Sequence, residues 1–117
     1  MEGSVDAYGL PFVMLEVAGR EWKGTIDTGF NGDLELPLEL YARVQPRFVA
    51  SAPSFLAGNQ TVEEDHYVVT FPFDGELVEA LATFVAGDAV LIGTNLLREY
   101  SLNIDFPTGH VVLERSV

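Results

Sequence analysis

The sequence predicts an all-β protein with one short helix in its C-terminal half. Apolar residues recur at every second position in segments such as Phe12–Val17 and Leu34–Leu36, the period of a strand with one buried face. Turn residues, among them Ala18-Gly19, Ala57-Gly58-Asn59-Gln60, Asp74-Gly75 and Thr108-Gly109, separate these runs at hairpin spacing. Only Asn95–Tyr100, following a glycine and a threonine able to cap it, reads convincingly as a helix.

In chain order, Phe12–Val17 and Glu21–Ile26 form a first hairpin around Ala18-Gly19-Arg20, and this hairpin delivers Asp27 at its end. Leu34-Glu35-Leu36 is a short strand, and Pro37 opens a helical turn through Leu40 and Tyr41 that Pro46 limits. A long hairpin runs from Ser54 to Phe73 with its tip at residues 57–60. Asp74-Gly75 then leads into a strand over Leu77–Val85, and Leu102–Phe106 pairs with Val111–Leu113 in a final hairpin. No repeat, linker or low-complexity tract interrupts the pattern.

With 117 residues, 48% of them hydrophobic, the chain can build one core but not two, so a single domain over 1–117 is expected. The absence of cysteine excludes disulfides and thiolate metal sites. The start, Met1–Asp6, lacks the basic and apolar regions of a secretory signal, and no stretch is long and apolar enough to cross a bilayer. A soluble, cytoplasmic protein without a membrane partner is the expectation. Eighteen acidic against six basic residues give a net charge of −12, which repels phosphate backbones and argues against nucleic acid as a partner. The same charge promotes solubility and would attract basic peptides.

The chemistry concentrates in Ile26-Asp27-Thr28-Gly29. An apolar strand ending in Asp, a hydroxyl and a glycine can present a carboxylate on a tight, hydrogen-bonded loop. Two carboxylates sharing a site repel each other's charge, so one remains protonated as an acid while the other serves as base toward a water. An isolated Asp-Thr-Gly is more often an ordinary turn, because turns are rich in both Asp and Gly. Here, however, it is followed by a hairpin with Gly58 at its tip and then by Leu91-Ile92-Gly93-Thr94-Asn95-Leu96-Leu97.

With those segments in that order the chain resembles the retropepsin-like aspartic proteases over roughly Phe12–Phe106. Asp-Thr-Gly-Phe and Leu34-Glu35-Leu36-Pro37 are similar to the bacterial members. The resemblance implies an acid-protease barrel in which Asp27 is the catalytic carboxylate. It implies further that the Thr28 hydroxyl bonds across a two-fold axis and that Gly29 offers its backbone to substrate. Phe30 and Asn31 would flank the peptide, and Ala57, Gly58 and Asn59 would form a flap tip closing over it. One triplet per chain implies a homodimer, since isologous pairing sets two identical loops face to face. The implied activity is aspartic endopeptidase cleavage of a peptide or protein substrate, without cofactor or metal. The alternative is a catalytically silent dimer of the same fold that binds a peptide or protein partner.

Three positions depart from the retroviral pattern. Phe30 stands where those enzymes carry a small residue, so its ring either narrows a subsite or points into the core. Asn31 and Thr94 stand where they carry an acid and an arginine, so both halves of that bracing ion pair are replaced together by neutral groups. The chain also continues past Phe106 through a further hairpin, which implies a differently built dimer interface.

Other candidates carry less. Glu63-Glu64-Asp65-His66 cannot converge on one metal ion if they lie on a strand, because neighbours point to opposite faces, and a solvated strand is expected there. His110 is expected to be exposed in a turn, Trp22 and Lys23 to lie on a hairpin surface or dimer contact, and Asp33 and Asp105 to be structural.

Overall fold

The structure, a computed structural model, describes residues 1–116, apart from the side chains of residues 55–57. Ten strands form one hydrogen-bonded sheet: β1 (Glu2–Val5), β2 (Pro11–Val17), β3 (Arg20–Ile26), β4 (Leu34–Pro37), β5 (Arg47–Leu56), β6 (Gln60–Phe73), β7 (Glu76–Val85), β8 (Val90–Ile92), β9 (Tyr100–Asp105) and β10 (His110–Arg115). Their order across the sheet is β5-β6-β7-β4-β8-β3-β2-β1-β10-β9. The all-β expectation therefore holds.

Alternation explains which residues enter the core. On β2 the buried side chains are Val13, Leu15 and Val17; on β6 they are Val69, Phe71 and Phe73. Leu34 and Leu36 from β4, Ile92 from β8, and Val111 and Leu113 from β10 join them. Each such side chain taken from water contributes roughly 2 kcal/mol to folding. The hairpin turns at Ala18-Gly19 and Asp74-Gly75 have positive φ at both positions, matching the right-handed twist of the strands they join.

The short helix lies elsewhere than expected. A 3₁₀ turn over Leu38–Leu40 runs into α1 (Tyr41–Val44), which ends at Gln45 in a left-handed conformation just before Pro46. Asn95–Tyr100 instead forms consecutive tight turns, in which Leu97 N donates to Thr94 O at 3.2 Å and Tyr100 N to Leu97 O at 2.8 Å. The amides of Thr94 and Asn95 are already engaged by the carbonyls of Phe30 and Gly32, and Tyr100 must enter β9. The first amides of a helix are free of intrahelical partners in any case; the ladder is prevented by length, since Tyr100 already belongs to β9 and the intervening residues close tight i→i−3 bonds.

Two strands exceed the sequence reading. The long hairpin's first strand begins at Arg47, with an irregularity between Phe48 and Ala50. β1, unread in the sequence, pairs with both β2 and β10. A Cβ on Gly3 would lie 1.9 Å from the Phe12 carbonyl oxygen, so the chain passes there only without a side chain.

Trp22 also departs from its expected surface position. It is 7% exposed, with the Arg20 guanidinium 4.4 Å from the centre of its ring, because it shares the inward face of β3 with Ile26. Lys23, on the opposite face, is exposed and pairs with Asp6 at 2.7 Å. His110 is exposed as expected and bonds Glu2 at 2.7 Å. Among the described residues, no helix is long and apolar enough to cross a membrane.

Candidate active site

Asp27 leaves the end of β3 where that strand runs parallel to β8, with Ile26 opposite Ile92. The strand's hydrogen bonding continues one residue further, as Asp27 N donates to Ile92 O at 3.0 Å. The chain then turns back on itself. Phe30 N donates to Asp27 O at 3.1 Å, and Gly29 N donates to the carboxylate oxygen Oδ1 of Asp27 at 2.9 Å. The carboxylate is thus oriented by its own loop while remaining half-exposed. Thr28 and Gly29 are fully on the surface.

The segment after β8 locks this loop from the other side. Thr94 N donates to Phe30 O at 2.8 Å, Asn95 N to Gly32 O at 3.1 Å, and Gly93 N to Asp33 O at 2.9 Å. A Cβ on Gly93 would meet the Gly32 carbonyl oxygen at 2.1 Å, so glycine alone permits the approach. Side chains extend the lock. Asp33 accepts from Asn95 Nδ2 at 2.7 Å and from Leu81 N at 2.8 Å, and Arg98 donates to Asn95 Oδ1 at 3.1 Å. Of the neutral pair, Thr94 holds the loop through its amide and, at 3.4 Å, its Oγ1, both donating to Phe30 O. Asp33 and Arg98 add an acid and a cation linked through Asn95.

Phe30 neither enters the core nor projects freely. Its ring lies across Gly32 and Gly93, where a Cβ on either glycine would come within 2.8 Å of a ring carbon. From there it forms part of the wall of two adjoining cavities. One, of about 280 Å³, is lined by residues 30–35, Ser54, Glu64, His66, Leu81, Thr83 and Asn95. The other, of about 220 Å³, lies between residues 29–32 and Pro53, Ser54 and His66 on the long hairpin. Together they make a cleft between the Asp27 loop and the stem of the β5–β6 hairpin.

Gly58 and Asn59 stand at that hairpin's tip, both exposed and both with positive φ, at 76° and 61°. They do not line either cavity. Ala57 belongs to the same turn, and its side chain falls outside the described residues. The structure thus brings Gly29, Phe30 and Asn31 together with the hairpin stem, not with its tip, while Asp27 itself lines neither cavity.

Several cleft residues escaped the sequence reading. Glu64 and His66 lie two apart on β6 and share the face toward the cleft, so His66 is half-buried rather than solvated. Its Nδ1 is enclosed with no hydrogen-bond partner among the described residues. Glu35 on β4 faces the same space; desolvation, and then the charges of Glu64 and Asp27, raise its pKa above the ordinary 4.5. Among the described residues, no group of three or more His, Cys, Asp or Glu could hold a metal ion.

No family model matches the chain, and no curated protein matches it. Solved structures do. A retropepsin-like aspartic protease from Rickettsia conorii superposes with a TM-score of 0.70 at 17% identity, over 97% of this chain and 88% of that one. The EIAV protease in complex with the inhibitor HBY-793 gives 0.62 at 17% identity, over 80% and 89% of the two chains. The Simian Foamy Virus (mac) protease gives 0.58 at 20% identity, over 74% and 91%. The coverage by the Rickettsia protein means that the likeness takes in most of the sheet. The chain has the retropepsin-like aspartic protease fold.

Proposed function

We propose that the chain is an aspartic endopeptidase, active as a homodimer in which two Asp27 carboxylates form one dyad. The observation that carries this reading is Asp27 itself. Its carboxylate is oriented by the Gly29 amide on a loop pinned from both sides, and the residues that follow it, Gly29, Phe30 and Asn31, line a cavity of about 220 Å³ facing the hairpin stem. The exposed Thr28 hydroxyl, which has no partner among the described residues, is available to the second copy.

In the proposed reaction one carboxylate takes a proton from water as the water oxygen attacks the peptide carbonyl carbon. The other, protonated, gives its proton to the carbonyl oxygen. Collapse of the tetrahedral intermediate breaks the C–N bond as the departing nitrogen receives the proton held by the first carboxylate and a gem-diol hydroxyl returns its proton to the second, which restores the dyad. Pinning of the loop supplies the positioning that such chemistry requires. The peptide lies as a strand between the loop and the β5–β6 hairpin, whose tip, residues 57–59, closes over it.

A second reading, a dimer that binds peptides without cutting them, is favoured by the Phe30 ring, which takes up space in the cleft wall. One experiment separates the two. A diverse peptide mixture is digested with the wild-type protein and with Asp27→Asn, and products are identified by mass spectrometry. Cleavage that disappears in Asp27→Asn supports the enzyme. Peptide binding by both proteins without cleavage supports the silent dimer.

A further inference from the structure

The cavity of about 280 Å³ beside the Asp27 loop has a chemical character that the proposed reaction does not require. Its walls include the ring of Phe30 and the side chains of Leu34 and Leu81, and into it face two half-buried carboxylates, Glu35 and Glu64. The two belong to different strands, β4 and β6, which are not neighbours in the sheet, so their convergence is a product of the fold. Neither carboxylate has a hydrogen-bond donor or cation among the described residues. The ion pairs among the described residues engage Asp6, Asp74, Glu79, Glu76 and Glu2 instead, and the half-buried His66, which lines the same cavity, hydrogen-bonds neither glutamate.

Holding unpaired carboxylates close together in a recess costs free energy, and the raised pKa of Glu35 expresses that cost. A cation entering the recess would relieve it. The cavity has the shape for a long side chain: apolar walls for a methylene stem, with acceptors for a charged head. Its position beside the loop puts it within reach of a peptide lying across Asp27.

We propose that this cavity is the subsite for a lysine or arginine side chain of the substrate, with Glu35 and Glu64 as its specificity-determining residues. This rests on the peptidase reading, and it narrows the substrate class to peptides with a basic residue close to the scissile bond. Glu35 and Glu64 accept hydrogen bonds from the ammonium or guanidinium, while the stem packs against Phe30 and Leu81. A glutamate in the same substrate position would be repelled.

The test uses matched peptides that differ at one position at a time on either side of the cleaved bond, carrying lysine, arginine, norleucine or glutamate. At one position the wild-type protein is expected to cleave the basic peptides with kcat/KM about tenfold above norleucine. In Glu35→Gln/Glu64→Gln that ratio falls to about one, and in Glu35→Lys the glutamate peptide is favoured over lysine. Circular dichroism and dimer sedimentation confirm that the variants fold. Binding of the same peptides to Asp27→Asn is measured in parallel. Cleavage with no basic preference, or a preference that survives Glu35→Gln/Glu64→Gln, overturns the subsite and leaves the peptidase standing. Basic-selective binding without cleavage overturns the peptidase and leaves the subsite standing. Neither binding nor cleavage overturns both.

Discussion

Asn95 Nδ2 donates to Asp33 Oδ1 at 2.7 Å, tying the turn after β8 to the entrance of β4. The other Asp33 oxygen takes the Leu81 amide, so one carboxylate connects three segments around the Asp27 loop. Asp33→Ala is expected to cost about 2 kcal/mol, the sum of two hydrogen bonds to a charged acceptor partly compensated by water. Asp33→Asn, which keeps an acceptor, should cost about half as much. Urea denaturation measures both, and a loss under about 0.5 kcal/mol in Asp33→Ala would show that the carboxylate does not brace the loop.

Gly93 and Gly58 make a contrasting pair. Alanine at 93 drives a Cβ into the Gly32 carbonyl, where backbone must shift, and about 3 kcal/mol of destabilisation is expected. Alanine at 58 meets nothing within 4 Å but must hold φ near 76°, at a cost of about 1 kcal/mol. Thermal unfolding of both variants should rank them in that order; the reverse ranking would sink the account of the loop.

Glu35 gives a stability signature of its own. Its folded-state pKa lies above the ordinary 4.5, so the folded protein holds the Glu35 proton more tightly than the unfolded chain does. That contribution is fully present below the unfolded pKa and is lost as pH rises through the folded one. Glu35→Gln, which has no charge to desolvate, should therefore be more stable than wild type at pH 7, with the difference shrinking as pH falls from 7 toward 4.5 and levelling off below it. Melting temperatures across that range provide the check, and a gap that widens on acidification would reverse the sign.

For cleavage itself, a dyad of like charges predicts a bell-shaped pH profile. Phe30 offers no hydroxyl next to the triplet to favour ionisation, so the optimum is expected at roughly pH 5 to 6. Phe30→Ser should move the acidic limb downward. An optimum below about pH 3.5, or an unmoved limb in a folded Phe30→Ser, would contradict this tuning.

Self-association is the remaining requirement of the proposed dyad. Sedimentation equilibrium should reveal a dimer, tighter with a bound peptide, because one chain offers one Asp27 loop. A monomer at every concentration would remove the enzyme reading.

What was legible in the sequence was what local backbone demands write into it. Asp27-Thr28-Gly29, Gly93 and the Asp74-Gly75 turn need particular residues wherever the chain goes, and each lies where it was expected. Trp22 was legible too, since counting back by twos from Ile26 places it inside, but a tryptophan beside a lysine in a short hairpin resembles surface. The cleft face of β6 was not legible. That Glu64 and His66 meet Glu35 depends on where β6 and β4 fall in the sheet, with β7 between them. The helix expected at Asn95 failed for a related reason: Tyr100 is taken into β9 by its pairing with Arg115, which leaves too few residues after Gly93.

The place of β1 bears on how the protein is made. Glu2 pairs with Val112, so β1 finds one of its two neighbours only after the strands from β2 to β10 have all been synthesised. Until then the side of β1 that will meet β10 is an open edge, able to capture another nascent chain. Closing that seam joins residues far apart in sequence and pays its loop entropy late. Translation rate and chaperone access, as much as the native contacts, would then govern the yield of folded protein.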